Sequence, residues 1–87
     1  MNDKTLLENV RKDLEMICKE NCIGKVNKLQ ISVDADSHVD KENLKKHLTT
    51  SNKTLVGDWT EIIIDRKQNL EGETAIIESV SGKFLEQ

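Results

Sequence analysis

The stretch Lys25–Arg66 decides the fold: KVNKLQISV (25–33), DADSHVDKENLKKHLTTSN (34–52) and KTLVGDWTEIIIDR (53–66). In its first part apolar residues alternate with polar ones. Leu29, Ile31 and Val33 point one way, and Lys28, Gln30 and Ser32 point the other, which is the period of a strand with one polar face. Val26 is out of phase and marks where the strand enters its sheet. Asp34 to His38 then reads as a turn. Asp40 is a good helix N-cap, because its carboxylate can accept the exposed N–H groups of a first turn, and Val39 with Leu44 fits the hydrophobic staple around it. Leu44, His47 and Leu48 give that helix a narrow buried stripe, and Thr49–Asn52 ends it. After Gly57-Asp58, the segment Trp59–Asp65 has strand composition, and Ile62-Ile63-Ile64 implies cover on both faces, as in an interior strand. Strand, helix, strand in this order predicts a right-handed parallel crossover.

On the N-terminal side, residues 5–22 carry a helical period: Leu6, Leu7, Val10, Leu14, Ile17 and Cys18 recur every three or four residues on one face. Thr5 with Glu8 fits a capping box, with Asn2 and Asp3 as alternative caps, and Gly24 suits the left-handed position past the helix end. Glu8, Arg11, Lys12, Glu15 and Lys19 form a solvated face. On the C-terminal side, Arg66–Glu73 is polar, contains Gly72 and reads as a hairpin connection. Thr74–Ser81 is the last strand, and Phe84 and Leu85 form a docking tail or fray. The sequence thus predicts one domain over residues 1–87, of the α+β class. Its order is α-β-α-β-β, with a three-stranded mixed sheet and both helices packed on one face. The uncovered face would carry exposed isoleucine, a surface for a homodimer.

Composition narrows the function classes. The 87 residues hold 13 Lys+Arg against 16 Asp+Glu, a net charge of −3. That balance argues against a nucleic-acid binder, which needs a clustered basic face. The longest apolar run, Ile62-Ile63-Ile64, is too short to span a membrane, and nothing resembles a signal peptide. Two cysteines without an export signal point to reduced thiols and a cytoplasmic protein. A core supplied almost wholly by aliphatic residues follows from there being only Trp59 and Phe84 as aromatics.

Chemistry-bearing patterns are few. Cys18 and Cys22 stand one helical turn apart, but structural zinc wants four ligands and no second cysteine pair exists. Core packing for Cys18 and a helix-end position for Cys22 are favoured. Asp34, Asp36, His38 and Asp40 alternate like metal ligands. Against a calcium loop, however, Val39 stands where the sharp-turn glycine is needed, and Lys45 where the bidentate glutamate belongs. Turn and cap chemistry explains these acids better. His38 and His47 have no nucleophile or orienting carboxylate placed with them, and His47 reads as a half-buried histidine on the apolar stripe. No phosphate loop, serine elbow or metalloprotease helix is present, so the sequence predicts no enzyme.

Taken in order, these motifs resemble the small domain of the HypA/HybF family, the nickel-insertion accessory proteins of nickel–iron hydrogenase maturation. Met1 through Val26 follows the family's opening helix and its approach to an Arg/Lys-Val strand, with Thr5-Leu6-Leu7 where the family tends to have Ser-Ile-Ala. Val26-x-x-Leu29-x-Ile31-x-Val33 is similar to the family's first strand, and Ser37-x-Val39 with Leu44 to its turn into the second helix. Thr54-Leu55, Gly57 and the isoleucine strand, then Ile77-Glu78-Ser79-Val80, resemble its last two strands. The resemblance covers nearly the whole chain through order and spacing, each motif being soft.

The resemblance implies a nickel site at Met1, Asn2 and Asp3, where the family uses the terminal amine, nearby backbone nitrogens and the second residue's imidazole. Asn2 offers only a poorly ligating amide, and Asp3 replaces the family's glutamate. Asp34 replaces a usual glycine before the second helix. Arg66–Glu73, where the family inserts a four-cysteine zinc domain, contains no cysteine, so no zinc site is expected. The implied role is a HypA-like accessory protein contacting a maturation factor or a metalloenzyme precursor. One alternative is a divergent nickel metallochaperone using Met1, Asp3, His38 or His47. Another is a stand-alone scaffold or regulatory domain unrelated to nickel.

Overall fold

The computed structural model describes residues 3–68, 70 and 74–85, with Asp3 described through its backbone alone. The elements run α1 (Asp3–Glu20), β1 (Ile23–Asp34), α2 (Lys41–Ser51), β2 (Glu61–Lys67) and β3 (Ala75–Phe84). This is the expected α-β-α-β-β order. The sheet is β2-β1-β3, with β2 parallel and β3 antiparallel to the central strand.

Alternation in β1 sorts the two faces. Leu29, Ile31 and Val33 are fully buried in one core with Leu6, Val10, Leu14 and Cys18 of α1 and Leu44 and Leu48 of α2. Their partners across the ladders are Ile62 and Ile64 on β2, and Val80, Ile77 and Ala75 on β3. Both helices therefore cover one face. The α1 residues follow each other at steps of four, so their side chains stack along one stripe and fill the groove above β1.

The entry to α2 is tightly specified. Asp40 Oδ1 accepts from the Asn43 N–H at 2.8 Å, and Asn43 Oδ1 accepts from the Asp40 N–H at 3.0 Å, a reciprocal capping box. Val39 and Leu44 are both buried beside it. From β2, Arg66 donates to the carbonyls of Ser37 (2.6 Å) and Val39 (2.7 Å), fixing the β1–α2 turn to the far strand. The α2–β2 connection is tied back in the same way. Val26 N–H donates to Leu55 O at 2.8 Å, and the buried Thr60 hydroxyl donates to Val26 O at 2.7 Å.

Four expectations need correction. The strand Ile62-Ile63-Ile64 is an outer strand, not an interior one. Ile62 and Ile64 pair with residues of the helix face and Ile63 with Gln30 on the other face, so both sides are apolar without a second neighbour. Thr5 and Glu8 lie inside α1, which begins at Asp3, so they form no capping box, and Glu8 instead accepts from Arg11 Nε at 2.7 Å. The left-handed residue after α1 is Cys22, with φ 58°, not Gly24. Gly24 already lies in β1, and there a Cβ would meet the Leu85 side chain. Val26 is out of phase because of a bulge and not because the strand starts there. The β1–β3 register shifts between Val26 and Lys28, where Gly82 runs so close to the Lys25 carbonyl that no Cβ fits.

Candidate functional site

Of the expected metal residues, Met1 and Asn2 lie outside the described residues, as does the side chain of Asp3. His38 is exposed in the β1–α2 turn, and its carbonyl accepts from Asn43 Nδ2 at 3.3 Å. The acids around it are occupied locally: Asp34 Oδ2 accepts the Asp36 N–H at 3.0 Å, and Asp40 caps α2. Among the described residues, no group of three or more His, Cys, Asp or Glu side chains is placed to hold a metal ion. Cys18 and Cys22 are both free thiols. Cys18 is buried, and that burial, with the nearby Glu15 charge, pushes its thiol above the usual range. It is a poor nucleophile.

Two polar assemblies went unread in the sequence. Between the helices, Arg11 bridges Glu8 (2.7 Å) and Glu15 (2.9 Å) along α1, and His47 of α2 brings Nε2 to 3.3 Å from Glu8 Oε1. The hydrogen bond from Arg11 is the main cause that holds the Glu8 carboxyl below its ordinary range, with the charges of Arg11 and His47 adding to it. The approach of His47 is close enough for an ion pair when the ring is protonated, yet its geometry is not that of a hydrogen bond, and Nε2 is buried without a bonded partner.

The second assembly tiles the open face of the sheet. Gln30 Nε2 donates to Asp65 Oδ2 at 2.8 Å, and the Ser32 hydroxyl donates to Glu78 Oε1 at 2.9 Å. Lys67 reaches the same Glu78 oxygen at 3.2 Å. The Ser32 bond and then Lys67 lower the Glu78 carboxyl from its usual range. Glu78 can reach both partners because it is the extra residue of a bulge, the register slipping between Gln30 and Ile31. Ser32 is fully buried on this face although no helix covers it. The expected isoleucine face is thus mostly a closed polar network. Among the described residues of the sheet, only Ile63, half-buried, and Ile76, at 43% exposure, remain apolar there.

Exposed apolar area gathers instead along the outer side of β3 and the neighbouring flank of α1. Met16 is 59% and Phe84 72% exposed. Met16 borders one shallow depression with Ile17 and Ile77, and Phe84 borders a second with Ile17, Ile77 and Val80. Sequence reasoning placed Phe84 in a tail, but it belongs to β3, paired with Ile23. The signal that could have found this surface is Met16, an apolar residue outside the buried stripe of α1.

No helix among the described residues is long and apolar enough to cross a membrane. No protein-family model, no curated protein and no solved structure matches the chain.

Proposed function

We propose that this chain is a non-catalytic, HypA-like accessory module that acts in the cytoplasm by protein contact, on a maturation factor or on the precursor of a nickel–iron hydrogenase. One observation carries the contact half of this reading. Asp34, Asp40, Glu8, Glu15 and Glu78 are engaged in turn, cap, hydrogen-bond or ion-pair contacts and Cys18 lies in the core, while Met16 and Phe84 stand exposed at the α1–β3 rim. The nickel-enzyme half rests on the order and spacing of the sequence motifs, from the opening helix to Ile77-Glu78-Ser79-Val80, alongside the α-β-α-β-β order.

The test has two arms. Purified chain is immobilised and challenged with nickel-free hydrogenase precursor and its maturation factors; retention of one of them is expected, and retention of none sinks the hydrogenase assignment. In parallel, nickel is titrated calorimetrically into untagged protein with a free Met1 amine. Weak or no binding is the expected result, because Asn2 lacks the imidazole. Submicromolar, stoichiometric nickel would instead establish the divergent metallochaperone, with Met1, Asp3, His38 or His47 as ligands. Failure of both arms leaves a scaffold or regulatory domain unrelated to nickel.

A further inference from the structure

We infer that the α1–β3 rim is a self-complementary surface that pairs two copies of this chain about a two-fold axis passing near Met16. The inference does not depend on the nickel reading.

The outer flank of α1 carries Lys12, Met16 and Glu20, four residues apart on either side of the methionine, so all three lie along one stripe. All three are exposed, and neither Lys12 nor Glu20 makes an ion pair among the described residues. Two copies of α1 running antiparallel with Met16 on the axis bring Lys12 of each opposite Glu20 of the other. The central apolar contact is Met16 on Met16. A two-fold contact must be complementary to itself, and a charge order of plus, apolar, minus along one helix meets that condition in the antiparallel arrangement alone.

The sheet gives this helix pair the right spacing. β3 is an outer strand and α1 packs over both β1 and β3. Side-by-side placement of two β3 strands sets them about 4.8 Å apart. A helix seated midway between β1 and β3 then lies roughly 10 Å from its symmetry mate, close to the 8–10 Å at which helices pack. Met16 shares a groove with Ile77, the third residue of β3, which places the axis near the N-terminal end of that strand. Phe84, seven residues further on, lies outside the part of the strand paired with the other copy. With the axis near Ile77, only Ala75 to Ser79 of each β3 face the other copy, a length of roughly 17 Å, and a helix-on-sheet rim is roughly 20 Å tall. The buried area is then roughly 300–400 Å² per copy, the size of a weak, transient contact. The bulge at Glu78 and the charge of Lys83 are features that blunt an outer strand. They direct the specificity to the helix stripe and leave the strand edge a flanking contact.

Sedimentation equilibrium of the full chain, with circular dichroism as a folding control, tests this. The wild type should dimerise weakly, with dimer clearly populated by about 500 µM, as suits so small an interface. Met16→Glu, which sets two carboxylates on the axis, should leave only monomer over the same range. Lys12→Glu should weaken association by about tenfold or more, from two lost attractive pairs and two new repulsive ones. The double variant Lys12→Glu/Glu20→Lys restores the same charge order in reverse, and should return to within about threefold of the wild type. All three positions are exposed, so the fold should persist. A wild type that stays monomeric to about 1 mM overturns the proposal. So does a dimer that survives Met16→Glu, or a double variant no tighter than Lys12→Glu alone.

Discussion

On the helix side of the sheet, Leu29, Ile31 and Val33 are sealed beneath two helices. On the open side, Gln30 and Ser32 of the same strand bond side chains from β2 and β3. Both sides bury β1, by different physics. The covered face excludes water by packing, so its energy scales with apolar area and is sensitive to each lost methylene. The open face satisfies its polar atoms through directional contacts, each worth little net but costly to leave half-made. One strand can therefore hold an apolar side and a polar side and still be buried at its centre.

The largest effect should come from breaking the covered face. Leu14→Ala, at a fully buried position under the α1 stripe, should cost about 2–5 kcal/mol in urea unfolding. For a domain of this size that is a large share of the total. A loss under about 1 kcal/mol would mean that α1 is not seated on the sheet as described. Next comes Gly82→Ala, where the new Cβ meets the Lys25 carbonyl and neighbouring backbone. Backbone must move there, and a cost of about 1–3 kcal/mol is expected, together with shifted amide resonances on both sides of the bulge.

A smaller effect is expected on the open face. Ser32→Ala removes the hydroxyl that donates to Glu78, leaving that carboxylate to Lys67. Its unfolding midpoint should fall, but by clearly less than that of Leu14→Ala. Equal losses would erase the distinction between the two faces.

The smallest effect is titrational. Glu8 and Glu78 both have folded pKa values below their ordinary range, Glu8 through Arg11 and Glu78 through Ser32 and Lys67. The unfolded chain therefore binds more protons in the acid window, and stability rises with pH there. Their contribution is fully present above the unfolded pKa of about 4.3, and is lost as pH falls through the folded values. Unfolding midpoints measured between neutral and acid pH should decline on that limb. Glu78→Gln should shallow the decline while leaving the part owed to Glu8. Since both pairs are substantially solvent-exposed, salt should weaken the effect.

How far the fold was legible follows from which signals are local. Alternation in Lys28–Val33, the apolar stripe from Leu6 to Cys18, and the Asp40 cap are decided within a few residues, and all three stand in the structure. The Ile62-Ile63-Ile64 run misled, because an apolar strand at the sheet edge can lean on a helix on one side and on its neighbours' side chains on the other. The αL position fell to Cys22 instead of Gly24 because the helix stopped earlier, so that β1 could begin pairing with Phe84 at Ile23. Of the candidate site, the loop acids were correctly read as cap and turn chemistry. The network on the open face was invisible, since Ser32 and Glu78 lie 46 residues apart in the chain.

The sequence by itself determined the elements and their order, because helical and strand periodicity, caps and turn chemistry act over one or two turns of chain. It also determined the plus, apolar, minus stripe of Lys12, Met16 and Glu20, which is fixed by spacing along one helix. Only the tertiary structure decided which strand lies in the middle, and which polar side chains find each other. It also decided that the exposed apolar rim belongs to α1 and β3 and not to the open sheet face. Those outcomes depend on strand order and on bulges at Asn27 and Glu78, which are set by long-range pairing and so leave no mark on local periodicity.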